Sequence, residues 1–444
     1  MFSKTKILLI GLLFATAVQA QPLSLSLEQA RQMAVDSSYA TRNARYDTEK
    51  KRKEVKEVLA AGLPQVNGSA QFQNFLDIPV SLVPAEFTGG EPGDFTALQF
   101  GTKYNLTAGL SASQLIFDGT YLVGLKASKT VVQLSINQEL RTEMEIKLNV
   151  GESYYTVLLA EENIKVLQEN LDNLDKTLRD TRALYENGLT EEQDVDQLQL
   201  NKNQVQINYD RSLQFLDVSR QTLNFLLGLE LERDVVLSDK IEDLVKLNNN
   251  MAYLETAPNL TAHPDYLLAK SNLEIQELTV RGEKSYYYPS LSAFFNHQQV
   301  GQRNEFNFLD GDEPWYPTTI VGATVNVPIF SGFRRNARLA QAKIGFEQGV
   351  LQLEQTEENL RLGITRSRSN YANALKTWEN QKQSYELARR ISEKTNIKYT
   401  AGVSTSFELN VAESQLLNEQ GKYIESAYNL LTAKQELDAA LNVY

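Results

Sequence analysis

The side chains of this 444-residue chain best placed to form a working site sit in two short stretches, Tyr185 to Leu198 (YENGLTEEQDVDQL) and Tyr399 to Ala412 (YTAGVSTSFELNVA). Each gathers a tyrosine, a hydroxyl and a carboxylate around one turn: Tyr185, Thr190 and Asp194 in the first, Tyr399, Ser404 and Glu408 in the second. This is hydrogen-bonding and helix-capping chemistry. A carboxylate in the first turn of a helix is favoured by the positive end of the helix dipole, which by itself accounts for Asp194 and Glu408. At the first turn, Asn187-Gly188 supplies left-handed backbone for a helix C-terminus, and Thr190-x-x-Gln193 reads as a capping box for the next helix. At the second, Ala401-Gly402 is followed by either Ser404 or Thr405 as cap; if Thr405 caps, Glu408 is its box partner.

Elsewhere the reactive inventory is thin. His263 and His297 are far apart in sequence, the first beside Pro264 and the second in a predicted strand, and both read as packing or solvent positions. There is no cysteine and no paired-histidine motif, so a transition-metal site has no support. No P-loop, dinucleotide fingerprint or nucleophile elbow occurs, and the chain is expected to be neither an enzyme nor a cofactor carrier.

The two turns are 214 positions apart, and the register continues without a gap: Gln206 over Gln420, Tyr209 over Tyr423, Ser212 over Ser426, Leu216 over Leu430, Leu223 over Leu437 and Leu227 over Leu441. A fixed offset over some forty residues marks an internal duplication. The elements around each turn explain its placement. Thr120 to Glu186 and Phe333 to Thr400 are predicted helices of nearly seventy residues, roughly 100 Å each. Leu167, Leu171, Leu174, Leu178, Thr181 and Tyr185 step by four and three, the spacing of a coiled coil. The return helices keep that stripe with polar interruptions, as antiparallel hairpins packed side by side would require.

Before each long helix the period changes to two. Val66, Gly68, Ala70 and Phe72 alternate with uncharged polar residues, as do Leu106, Ala108, Leu110 and Ala112; Leu291, Ala293 and Phe295, then Val321, Ala323, Val325 and Val327, repeat the design. Each run approaches the 9 to 11 residues of a strand crossing an outer membrane. Tyr286, Tyr287, Tyr288, Trp315 and Tyr316 flank the second set and suit a lipid–water boundary. A loop rich in Gly, Pro and Phe, about 84 to 101, joins the first two strands. Four strands cannot close a barrel with a lumen, so spanning a membrane requires several chains in one barrel. Pro64 ends a predicted first helix, Ser26 to Leu63; Ile116-Phe117-Asp118-Gly119 and Ile329-Phe330-Ser331-Gly332 lead from strand to helix, with glycine permitting the change of direction.

Residues 1–20 read as a secretory signal: Lys4 and Lys6, an apolar run from Ile7 to Phe14, then Val18-Gln19-Ala20. Its removal reduces the 44 basic side chains to 42 against 56 acidic ones, a net charge of −14 that repels nucleic acid. Without cysteine there is no disulfide framework and no lipid-modified N-terminal cysteine. The expected organisation is a first repeat over 21–228 (strand pair about 65–117, helical hairpin 120–228), a mixed linker over 229–262, and a second repeat over 263–444 (strand pair about 290–330, helical hairpin 333–444).

The paired Y-x-x-G-(L/V)-(T/S)-x-x-x-(D/E)-(V/L) turns, the I-F-(D/S)-G exits, the proline-ended helices and the duplication together resemble the outer-membrane efflux protein (TolC) family over nearly the whole mature chain. The resemblance implies a mainly α fold with a small membrane β-barrel contribution. Long coiled-coil hairpins would form an α-barrel in the periplasm, and four strands per chain a twelve-stranded barrel in a homotrimer. It implies an outer-membrane channel-tunnel in a tripartite efflux or type I secretion system, working with a periplasmic adaptor (membrane fusion protein) and an inner-membrane transporter. Gly188, Leu189, Thr190, Gly402, Val403 and Ser404 would be the adaptor-docking tips, Tyr399 linked to Asp194 the entrance gate, and Glu408 the acidic ring. The family's second ring carboxylate falls on Val411 and its gate arginine on Ser404, which implies a weaker lock and lower cation selectivity. The competing reading is a periplasmic coiled-coil scaffold or adaptor without a pore, against which the duplication and the four alternating runs both count.

Overall fold

A computed structural model describes residues 23–443; the signal segment lies outside the described residues. The fold is mainly helical, with a smaller share of sheet. In chain order it runs β1 (Leu23–Leu25), α1 (Leu27–Ser37), α2 (Tyr39–Ala60), β2 (Gln65–Asn74), β3 (Val80–Pro84), β4 (Phe95–Gln99), β5 (Tyr104–Phe117), α3 (Gly119–Glu186), α4 (Glu192–Leu227), β6 (Val235–Leu237), α5 (Ile241–Asn248), α6 (Pro264–Ser285), β7 (Ser290–Arg303), β8 (Tyr316–Asn326), α7 (Arg334–Thr400) and α8 (Ser406–Leu441). The chain divides into two compact units. One holds Thr142–Pro258, Gly363 onward and the N-terminal segment to Arg42; the other holds Asn43–Arg141 and Asn259–Leu362.

In the first unit the core is a coiled-coil seam. Leu167, Leu171, Leu174 and Leu178 of α3 pack on Val195, Leu198 and Val205 of α4, with Tyr209 and Leu417 against them. Burying one such leucine contributes about 2 kcal/mol, so this seam outweighs any single polar contact at the tips. The return helices α4 and α8 have 36 residues each and begin and end 214 positions apart. The segment between the repeats is ordered: β1 pairs in parallel with β6, Leu23 opposite Val235. Buried Tyr154 stands there with its hydroxyl 2.9 Å from an Asp239 carboxylate oxygen and 3.0 Å from the Leu25 carbonyl.

The predicted first helix is two. Ser38 is extended (φ −60°, ψ 151°) between α1 and α2, and its hydroxyl accepts from the Thr41 N–H at 3.3 Å, capping the second helix. A serine competing for backbone donors in this way breaks a helix that the apolar pattern alone would continue.

In the second unit β2, β5, β7 and β8 form one antiparallel sheet in that order. Its register decides which side chains share a face. Val66 lies opposite Ala112, Ala112 opposite Phe295, and Phe295 opposite Val321, while Ala70 faces Ala108 and Leu291 faces Val325. Directly opposed residues project to the same side. Most apolar members of the four strands therefore share one face, which His297, Gln299 and Arg303 of β7 interrupt, and Asn67, Ser69, Gln71, Thr107, Ser111, Asn296 and Thr318 lie on the other together with Phe294, Val300 and Ile320. A bulge at Ile116 ends the β5–β7 ladder where the chain turns into α3. Of the two exit glycines, Gly332 takes a left-handed φ of 60° and Gly119 does not. The loop expected over 84–101 is the second half of a hairpin that starts ahead of it, β3 with β4, Val80 opposite Gln99. Among the described residues no helix is long and apolar enough to cross a membrane.

Candidate functional site at the interhelical turns

The two turns have one backbone solution. α3 and α7 each end in a left-handed glycine, Gly188 at φ 74° and Gly402 at φ 68°. The next amide reaches back across the turn, Leu189 N–H to the Leu184 carbonyl at 2.9 Å and Val403 N–H to the Lys398 carbonyl at 2.8 Å. Six-to-one bonds of this kind satisfy carbonyls that a helix end otherwise leaves open. No other side chain crowds either glycine, so the backbone angle alone requires them. The closure leaves Leu189 and Val403 73% and 75% exposed, two apolar side chains in solvent at equivalent positions.

The caps differ from one expectation. α8 starts on Thr405, whose hydroxyl accepts the Glu408 N–H at 3.2 Å while a Glu408 carboxylate oxygen accepts the Thr405 N–H at 3.0 Å, the second of the two alternatives. α4 starts on Glu191 and not Thr190: the box is Glu191 with Asp194, and Gln193 takes no part. Thr190 instead donates its hydroxyl to Asp194 at 2.5 Å, as Ser404 does to Glu408 at 2.5 Å. In both turns the tip hydroxyl thus orients the carboxylate four residues on.

Asp194 has a further partner. Ser406, at the start of α8, donates its hydroxyl to the other Asp194 oxygen and ties the first turn of α4 to the first turn of α8. That bond first, then the one from Thr190, holds the Asp194 carboxyl below the usual aspartate range. Glu408 is lowered as well, by Ser404 first and then by the Thr405 amide. Tyr399 donates to or accepts from Thr181 across 2.7 Å, joining α7 to α3. The direct Tyr399–Asp194 link implied by the resemblance is absent: the tyrosine meets Thr181 and the aspartate meets Ser406. Asn201 adds a third bridge, its amide nitrogen 2.7 Å from the Asn410 side-chain oxygen. The site is thus a set of cross-ties between two hairpins.

Sequence reasoning missed Thr181 as a partner, Ser406 and the Asn201–Asn410 pair. Thr181 carried a signal, being a hydroxyl in an otherwise apolar seam; the others carried none. Above the turns α3, α7 and α8 enclose a groove of about 800 Å³, and Glu413, Tyr399, Tyr385 and Arg389 line it. One carboxylate oxygen of Glu413 is buried there without a hydrogen-bond partner. The two histidines do ordinary structural work. His263 caps α6, its Nδ1 accepting the Asp265 N–H at 3.2 Å, and His297 Nδ1 lies 2.8 Å from the Thr319 hydroxyl. Among the described residues no cluster of His, Asp or Glu is arranged to hold a metal ion.

Paired helical hairpins closed by matching turns, joined in sequence to a four-stranded sheet with one mostly apolar face, define a class, and comparison with known proteins identifies it. The chain belongs to the outer membrane efflux protein family, whose pattern matches residues 30–229 and 260–443. It is 20% identical over 339 residues to the outer membrane protein TolC of Vibrio cholerae, covering 76% of each chain. It is 24% identical over 341 residues to the alkaline protease secretion protein AprF of Pseudomonas aeruginosa, covering 73% of this chain and 67% of that one. Its fold matches the crystal structure of the Vibrio cholerae outer membrane protein VceC with a TM-score of 0.68 at 16% identity, over 94% of this chain and 95% of the other.

Proposed function

We propose that this protein is the outer-membrane channel of a tripartite efflux or type I secretion system, passing substrates from a periplasmic adaptor and inner-membrane pump to the exterior without an energy-coupling site of its own. The observation that carries this is the sheet register: one face mostly apolar across the four strands, the other uncharged and mostly polar, as a barrel wall between lipid and water requires. β2 and β8 are sheet edges whose backbone groups need partners in hydrocarbon. Three copies joined edge to edge would give a twelve-stranded barrel with a lumen. The absence of cysteine argues for anchoring by strands and not by a lipidated N-terminus.

The tips Gly188, Leu189, Thr190, Gly402, Val403 and Ser404 would dock the adaptor, with the exposed Leu189 and Val403 supplying apolar contact. Tyr399 and Asp194 would act in the gate through Thr181 and Ser406, each cross-tie holding one hairpin against the other. Glu408, exposed and ionised, would ring the entrance three times over.

Single-channel current across a planar bilayer, recorded for the mature protein and for Glu408→Ala, tests this reading. Discrete steps are expected, with cation preference reduced in the variant. Steps indifferent to the substitution remove Glu408 from the ion path. No steps from folded protein, with or without an adaptor present, favour a periplasmic scaffold.

A further inference from the structure

The loop between β7 and β8, residues 304–315, lies at the end of the sheet opposite the exits to α3 and α7, at the outer rim on the reading above. Its direction of folding is fixed by ring contacts. Phe308 lies edge-on to Phe72 with centroids 6.0 Å apart and tilted against Trp315 at 6.2 Å, and Phe306 is edge-on to Phe72 at 5.6 Å. Phe72 stands opposite Leu106, and Leu106 opposite Gly301, so all three belong to the apolar face. A side chain at position 301 would meet the Phe308 and Trp315 rings at 3.2 Å, which explains a glycine in mid-strand. The loop therefore folds down over the same side as Val66, Ala112, Phe295 and Val321, away from the polar face.

Arg303 holds it there. Only 5% exposed, its guanidinium donates to the Pro314 carbonyl at 2.9 Å, stands 3.8 Å from a Glu313 carboxylate oxygen and lies under the Phe308 ring. Asn307 is also tied to Glu313, at 3.3 Å. The segment so pinned presents Phe306 at 69% and Leu309 at 97% exposure. Water would disfavour this; an apolar neighbour would favour it.

We infer that loop 304–315 is an outer-leaflet collar: it binds the lipid surface outside the barrel, with Phe306, Leu309 and Trp315 at the depth where acyl chains meet headgroups, and does not cover the mouth of the lumen. The inference rests on the channel reading above. Its depth follows from composition. Asp310 and Asp312 flank Gly311 beside Leu309, and carboxylates do not enter hydrocarbon, so the collar stays at the interface while its rings supply the amphipathic contact of an aromatic belt. The apolar surface is continuous with the sheet face through Phe72, Leu106, Ala70 and Ala108, which favours lipid over a water-borne partner.

The chain has two tryptophans, Trp315 and Trp378, so Trp378→Phe leaves Trp315 as the sole reporter. The full chain is reconstituted in phosphatidylcholine vesicles brominated near the carbonyl end or near the terminal methyl of the acyl chain. Val321→Trp, in a background lacking both native tryptophans, reports the sheet face itself. Expected is loss of most Trp315 emission with shallow bromines and little with deep ones, the reverse holding for Val321→Trp. If Val321→Trp is quenched and Trp315 by neither lipid, the collar is wrong while the membrane reading stands. That result also follows if a second copy covers the loop. Quenching of Trp315 chiefly by deep bromines overturns the collar too. Quenching of neither reporter overturns the membrane reading on which it rests. Should Trp378→Phe impair folding, the difference in quenching between the native chain and Trp315→Phe supplies the same readout.

Discussion

Glu413 offers the most quantitative test of how the helical hairpins are held together. It projects from α8 into the groove that α3 and α7 complete, and one of its oxygens is buried without a partner. The other charged or titratable groups lining that groove are Glu169, Lys176 and Asp180 on α3, and Tyr385, Arg389, Glu393 and Tyr399 on α7. None of them offers a hydrogen bond to the Glu413 carboxyl. Burial alone therefore pushes its pKa up, from 4.5 to about 7. The sign follows from proton binding. Below pH 4.5 the carboxyl is protonated whether the chain is folded or not, and contributes nothing. Between 4.5 and about 7 the unfolded chain ionises while the folded one keeps its proton, so stability falls as pH rises. Above that range the folded state carries a penalty of about 3 kcal/mol, the shift times about 1.4 kcal/mol per pKa unit.

Glu413→Gln keeps the shape and removes the ionisation. Against the native chain, the variant is expected to be more stable by about 3 kcal/mol near pH 8 and equal to it near pH 4. Denaturant unfolding followed by helical circular dichroism, run on both proteins in detergent across that range, measures the difference. A gap that does not change with pH would refute the argument. So would a native chain more stable than the variant in alkali, which would mean that the carboxylate has a partner when ionised.

Two further outcomes follow from the turns. Ser406→Ala removes the first cause of the lowered Asp194 pKa; it is expected to cost about 1 kcal/mol at neutral pH after allowing for solvent screening. Because a depressed carboxylate stabilises only while ionised, that cost should vanish as acid protonates Asp194, and a cost independent of pH in thermal unfolding would dismiss the cross-tie. Gly402→Ala puts a side chain into free space at φ 68° and should cost about 1 kcal/mol, with Gly402→Asn cheaper. Faster hydrogen exchange at the Val403 amide is the measurement, and an unchanged rate would mean that the turn is not held by its bond to Lys398.

The parts of this fold that were legible in the sequence are those governed by short-range period. The heptad steps from Leu167 to Leu178 and the alternation from Val66 to Phe72 each follow from local geometry, and both are realised as a buried seam and a one-sided strand. The glycines at 188 and 402 were legible for the same reason, since a left-handed residue after a long helix has few other candidates. What was missed needs contacts distant in sequence or a choice among near-equal local bonds. Ser38 interrupts the helix in an extended conformation, its hydroxyl accepting from the Thr41 amide. The N-cap of α4 falls on Glu191, one residue past the hydroxyl the pattern favoured, and Thr190 donates to Asp194. Ser406 lies 212 residues from the aspartate it binds, and no periodicity reports on that distance.

That last bond also shows where the duplication stops being symmetric. The offset of 214 places Glu408 over Asp194 and Ser406 over Glu192. In one direction the pair is a hydroxyl donor and a carboxylate acceptor, and the bond forms. In the other it would set Glu192 against Glu408, two acceptors with no donor between them when ionised. Glu408 accordingly takes its hydrogen bonds from its own turn, Ser404 and Thr405, and stays exposed. The tyrosines divide in the same way: Tyr399 is held by Thr181, while Tyr185 stays 41% exposed. One ancestral turn has thus become two. The first supplies the carboxylate that ties the hairpins to each other, and the second supplies a carboxylate that its own turn satisfies and leaves exposed.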